Sequence, residues 1–237
     1  MKLLNTLGIP DEPGGFRHST FLALVAILCV SMVVTVALAL AKPPHGNLIF
    51  QNYIFLVTAA MLAIGLKSGD RLLLRLLCCS TVMGVVELAA DWWLVAGGAN
   101  VLHYPPEPTN IVCSPLYMPL LWATLPLCLC YGVAAFIPRW GRVTMALVAG
   151  VAGFGLGVFW ESLTFYFNAW QYDTWPPMVG KAPLFIVMGE VTFLPALSLY
   201  VYSVSRRSGG GWLYPALGGV GLGLFIWINY VGWYYLL

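Results

Sequence analysis

Residues 72–96, LLLRLLCCSTVMGVVELAADWWLVA, decide how this chain folds. A membrane-crossing helix needs about 20 apolar residues, and this largely apolar stretch is uncharged except for Arg75 near one end and Glu87 and Asp91 near the other. An ionised side chain in hydrocarbon costs at least about 2.5–3.5 kcal/mol on insertion scales, so acids inside a span face a protein interior and mark chemistry or transport.

Six further stretches bounded by charges, Pro or Gly are long enough to cross: 20–41, 48–66, 115–137, 143–167, 184–204 and 212–237. The composition agrees, with 60% hydrophobic and 8% charged residues against about 25% charged in a soluble domain. The expected fold is all-α, a polytopic membrane protein with one bundle of seven transmembrane helices over 1–237, of which 1–19 form an N-terminal segment. The second stretch, with Gln51 and Asn52 near its start and Lys67 at its end, also reads as a re-entrant piece, which would reduce the count to six.

Positive residues collect on the cytoplasmic side of membrane helices. With seven spans, Lys2, Arg17, Lys67, Arg71, Arg75, Arg139, Arg142, Arg206 and Arg207 share one side, and only Lys42 and Lys181 fall on the other. This places the N-terminus in the cytoplasm and the C-terminus outside, in a multi-pass protein of the plasma or endoplasmic reticulum membrane. The small-residue run at 37–41 faintly resembles a signal-peptidase site, but the apolar stretch before it is too long and its leader carries Asp11 and Glu12, so it reads as a retained helix. Five of the six cysteines lie within spans and read as soft apolar packing; Cys78, Cys79, Cys128 and Cys130 share a depth, which leaves a metal or redox pair as the minority reading.

At about 1.5 Å per residue from the outer helix ends, Glu87 lies about 12 Å deep, Asp91 about 6 Å, and Glu161 and Glu190 about 9 Å each. Asn229 on the last helix falls at a similar level. Glu87 and Asp91 are spaced i, i+4 and share a face with Ser80 and Gly84, and Gly157, Glu161, Thr164 and Asn168 form a matching stripe on the fifth helix. Small residues on such stripes let helices approach closely. The expectation is a buried acidic pocket in the outer half of the bilayer, where carboxyls without nearby cations repel and some retain protons.

Between the spans, 97–114 carries His103, Tyr104 and Glu107, and 168–183 carries Trp170, Tyr172 and Trp175, with several prolines that stiffen both loops. They read as lids over the pocket or, more blandly, as an interfacial aromatic belt. His103 is a candidate ligand or proton shuttle, although a lone loop histidine is more often simply solvated.

Several function classes fall away. Retinal-type photoreception needs an intramembrane lysine, and Lys42, Lys67 and Lys181 are all outside the spans. No basic stripe supports nucleic-acid binding, and Ser or Cys nucleophilic catalysis lacks an intramembrane histidine base. Diphosphate substrates find only Lys42 and Lys181 on the outer side.

The first expectation is therefore an enzyme that cyclises, isomerises or hydrates a lipophilic, isoprenoid-like substrate. Glu87, Asp91, Glu161 and Glu190 supply the acid and base, and Trp92, Tyr117, Trp122, Trp160, Thr164, Tyr166, Asn168, Asn229 and His103 form the binding set. Aromatic faces stabilise a cationic intermediate. In broad type this is similar to small polytopic membrane terpene cyclases, which also rely on intramembrane acids; the likeness is of type and carries none of that family's motifs. No cofactor is required. A divalent metal held by the four acids is the variant, Mg²⁺ or Ca²⁺ on the hardness of the oxygens, since the Glu-x-x-His repeats of di-iron bundles are missing. The alternatives are a proton- or cation-coupled carrier using the same acids and a non-catalytic lipid-binding subunit.

Overall fold

Each apolar stretch folds as a helix, the form in which a chain in hydrocarbon can satisfy its backbone groups within one segment. The computed structural model describes residues 15–106, 110–174, 176–207 and 211–237. Lys2, Asp11, Glu12, Glu107, Pro108 and Trp175 lie outside the described residues. The helices are α1 (His18–Ala41), α2 (Gly46–Ser68), α3 (Arg71–Trp92), α4 (Met118–Ala135), a short α5 (Ile137–Trp140), α6 (Arg142–Thr164), α7 (Leu184–Ser205) and α8 (Leu213–Leu236). All but α5 are long and apolar enough to span a membrane. The stretch at 48–66 lies within α2, a full-length helix, so the six-span variant is not supported.

Punctuation follows local chemistry. Gly69, at φ 62°, closes α2, and the Asp70 side chain accepts a hydrogen bond from Leu73 N at 3.0 Å to cap α3, which makes the α2–α3 turn tight. Among the described residues, Pro126 and Pro195 stand in the interior of spanning helices. Pro119 lies in the first turn of α4 and Pro215 in that of α8, where a missing N–H costs little. Pro115 precedes α4, in the two-residue strand β3 (Ser114–Pro115) paired with β2 (Asn110–Ile111), so the fourth helix begins three residues later than the apolar pattern suggests.

Burial sorts the helices into two classes. About half or more of the apolar window is buried in α3 (56%), α4 (67%) and α7 (50%), against 22% in α1 and 28% in α2, α6 and α8. Of the central three, α3 carries Glu87 and Asp91 and α7 carries Glu190, while the outer four expose residues such as Leu40, Val143, Val151 and Leu236, a pattern suited to a lipid surround. α3 packs most extensively on α8 and then on α4; α7 packs on α6, α8 and α4. Gly219 and Gly223 of α8 lie directly against the α3 backbone at Cys79 and Met83, whereas a side chain at Gly221 would meet open space. The glycine stripe is thus a close helix contact at 219 and 223.

One end of the bundle is roofed. After α3, one π-helical turn (Trp93–Gly97) leads to β1 (Leu102–His103), which pairs antiparallel with β4 (Gln171–Tyr172) from the connection between α6 and α7. Asp173 N donates to Val101 O at 2.9 Å beside this pair. A third two-residue ladder joins β5 (Met178–Val179) to β6 (Ala182–Pro183).

Candidate functional site

Three close helix contacts bring the acids to one level. At Gly84 a β-carbon would collide with the Pro119 carbonyl, so the start of α4 presses on α3 one turn from Glu87. On α6, a β-carbon at Gly153 would come within 2.7 Å of Glu190 O, and one at Gly157 within 3.4 Å of Glu190 Cγ, which sets Glu161 beside Glu190. Gly189 of α7 accommodates the Tyr230 ring of α8, and the Tyr230 hydroxyl donates to Glu190 Oε1 at 3.1 Å.

The roof supplies the remaining donors. Along 102–104 successive side chains alternate: Leu102 is buried, His103 points out, and Tyr104 points back in to donate its hydroxyl to Asp91 Oδ2 at 2.9 Å. From the paired loop, Trp170 Nε1 donates to Glu161 Oε2 at 2.8 Å, and the Tyr172 hydroxyl lies beside the same carboxyl. Burial pushes both phenols well above their ordinary range, with Asp91 the next contributor at Tyr104 and Glu161 at Tyr172, so both act as O–H donors at neutral and moderately alkaline pH.

Glu87 differs from the other three. It is fully buried, no described residue donates a hydrogen bond to either of its carboxyl oxygens, and its own carboxyl leans on that of Asp91 as the acceptor. Its neighbours are Asp91, Glu190 and Glu161. It faces a cavity of about 40 Å³ that is also lined by Asp91, Glu161, Trp122 and three tyrosines, Tyr104, Tyr172 and Tyr230. A larger groove of about 80 Å³ adjoins it and opens on the flank between α4, α6 and α7, with Glu161 and Glu190 at its inner end. Leu121, Trp122, Glu161 and Trp170 border both spaces. Among the described residues, no Lys, Arg or His lines either one.

Of the aromatic and polar residues expected around the pocket, Trp122 and Trp160 line it. Tyr117 is fully buried one layer behind, edge-on to Phe50 at 5.8 Å. Thr164 is buried but donates its hydroxyl to Trp160 O and Glu161 O in its own helix. Asn229 faces α7, where its Oδ1 accepts from Thr192 at 2.8 Å, so it pins two helices together outside the chamber. Trp92 is 47% exposed, about 100° around α3 from the buried Asp91. Tyr166 is 42% exposed beneath Lys42 Nζ. Asn168 has left the helix, since a 3₁₀ turn (Phe165–Phe167) ends α6 and Asn168 caps it at φ 58°, accepting from Gln171 Nε2. His103 pairs with Asp173 at 2.9 Å on the outer surface of the roof. These last four are not in the chamber.

Tyr104, Trp170, Tyr172 and Tyr230 hold or flank the acids, and the sequence does not single them out as site residues. For Tyr230 a signal was present: Gly219, Gly223, Ile226 and Tyr230 repeat at helical spacing, and all four are buried. Among the described residues no group of three or more His, Cys, Asp or Glu is placed to hold a metal ion. All six cysteines are free thiols.

Residues 88–237 match the model of a family described as Domain of unknown function (DUF6989). The match spans more than half of the 237 residues, and the chain belongs to that family. The matched region includes Asp91, Glu161, Glu190 and both roofing loops, and begins one residue after Glu87. No curated protein and no solved structure matches the chain.

Proposed function

We propose that this member of the DUF6989 family is an integral-membrane enzyme that isomerises or cyclises a lipophilic substrate by acid–base chemistry among its buried carboxyls. The observation that carries this reading is the asymmetry within the acidic cluster. Asp91, Glu161 and Glu190 each accept a hydrogen bond from an aromatic side chain, while Glu87 has none and faces the cavity. A carboxyl on which no donor is fixed keeps its own proton to deliver to a ligand; carboxylates held by donors are stabilised as acceptors.

In this reading the Glu87 proton passes to one carbon of a substrate double bond, forming a C–H bond from the π electrons. The resulting cation faces Trp122 and Tyr172, whose rings stabilise positive charge. A neighbouring carboxylate then removes a proton from an adjacent carbon to form the new double bond. Asp91, one helical turn from Glu87, is placed to return that proton. The enzyme ends as it began. Donors fixed in a dry cavity need no reorganisation as charge develops. The excess of positive residues in the loops of the other end supports an extracytoplasmic position for the roofed end.

The chamber opens on one flank and carries its acids at one end of the bundle, which favours an enzyme over a carrier. Membranes from cells producing the protein are compared by untargeted lipid chromatography and mass spectrometry. The expected result is one lipid converted in the presence of wild type, with conversion reduced by about 10²–10⁴-fold in Glu87→Gln at equal protein level. Equal conversion by wild type and Glu87→Gln removes the assigned role of Glu87, and proton-gradient-driven uptake into proteoliposomes without conversion establishes the carrier instead.

A further inference from the structure

We infer that the substrate is a single-chain lipid with an uncharged reacting end, which enters sideways from the bilayer and reaches the acids end-first through the groove between α4, α6 and α7. This rests on the acid–base reading above and specifies its substrate.

Continuity comes first. The flank groove and the acidic chamber share Trp122, Leu121, Glu161 and Trp170 as common walls, so the hydrogen-bonded Glu161–Trp170 pair stands at the threshold between them. Along α4 the groove runs from Trp122 past Leu125 to Leu129, seven residues or about 10 Å of helix. Its opposite walls are Leu156 of α6 and Leu194 of α7. These are apolar side chains in the body of spanning helices, at a depth where lipid lies alongside.

Size then selects the ligand. The inner chamber, at about 40 Å³, has room for about three waters at roughly 10–15 Å³ of such space each; it therefore takes a terminal group and not a folded polyene. The groove's roughly 80 Å³, spread over about 10 Å of helix, leaves the width of one chain and excludes a two-chain phospholipid. Chemistry thus occurs at the end of the chain while the rest remains in the groove and the bilayer.

Charge selects against anions. With Glu161 and Glu190 at the inner end of the groove and Glu87 and Asp91 beyond, a phosphate or carboxylate would sit among like charges with no counter-ion. The cations nearest the roof are engaged elsewhere: Lys42 lies over the Tyr166 ring and Lys181 over the Phe165 ring. An alkene end or a hydroxyl, which hydrogen-bonds to carboxyls without adding charge, suits these walls.

The test is a binding measurement that needs no turnover. Purified wild type, Glu87→Gln, Leu129→Trp and Leu156→Trp are reconstituted in lipid nanodiscs and photolysed with a C20 polyprenol carrying a chain diazirine; labelled peptides are mapped by mass spectrometry. Labelling is expected on the α4 and α6 segments containing Leu125, Leu129 and Leu156. It should persist in Glu87→Gln and fall at least tenfold in each groove-filling variant, whose integrity is checked by monodispersity and helical signal. Unlabelled polyprenol should compete, and the same chain as a diphosphate should compete at least tenfold less well. Labelling confined to outward positions such as Val143 and Val151, or unaffected by either tryptophan, overturns the route. Equal competition by the diphosphate overturns the uncharged class. Labelling that behaves as expected while no lipid is converted leaves the groove standing and removes the catalytic reading, so the two fail separately.

Discussion

Glu87 and Asp91 are one helical turn apart and nearly equally buried, yet their surroundings differ. Asp91 accepts from Tyr104, while Glu87 has no donor. Tyr104→Phe removes a charge-assisted hydrogen bond, worth about 1.5–3 kcal/mol, and should lower conversion by about 10- to 100-fold while leaving photoprobe labelling intact; equal loss of labelling would assign Tyr104 to binding. The two roof phenols also predict an alkaline limit. Unfolding returns each to an ordinary value near 10. Above that pH the unfolded chain sheds protons that the folded chain keeps, so their contribution to stability is complete below pH 10 and is lost as pH rises beyond it. Thermal unfolding followed from pH 7 to 11 should show a smaller alkaline decline in the Tyr104→Phe, Tyr172→Phe double variant than in wild type. An identical decline would contradict the burial of these hydroxyls.

At the scale of elements, the site depends on helices that touch through glycine. A β-carbon at Gly84 has only the Pro119 backbone to displace, whereas Gly221 faces open space. Gly84→Ala should therefore cost about 1–3 kcal/mol through overpacking and weaken the chamber with it, while Gly221→Ala should leave the melting temperature in detergent unchanged or slightly raised. Comparable destabilisation by both would mean that the α3–α4 contact is not the tight one. The roof depends on β1–β4 and on the aromatic donors beneath it, so breaking the exposed His103–Asp173 pair with His103→Ala should change stability by no more than about 1 kcal/mol.

Over the whole molecule, what could be read in the residues and what could not divide along one physical line. Span positions follow from uninterrupted apolar length, and the common depth of the four acids follows from the rise per residue once the loop charges orient the helices. Neither requires knowing which helix neighbours which. Trp122 and Trp160 could be placed near the acids on the same basis. The side chains that hold the acids could not, because Tyr104 and Trp170 reach Asp91 and Glu161 only after Leu102 pairs with Tyr172 across 70 residues of chain. Such pairing leaves no periodic trace in two-residue strands. Helix rotation was also hidden at the ends: Asp91 faces inward while Trp92 faces outward, and Asn168 is displaced by the 3₁₀ turn that finishes α6.

Proton transfer from Glu87 to a lipid is the claim on which this account turns, and isotope incorporation reads it directly. Membranes containing wild type or Glu87→Gln are incubated in D₂O and the extracted lipids are analysed for non-exchangeable deuterium on carbon. Wild type should place deuterium in the converted lipid, and Glu87→Gln should not. Deuterium incorporation that is equal in the two, or conversion by wild type with none, would contradict the account.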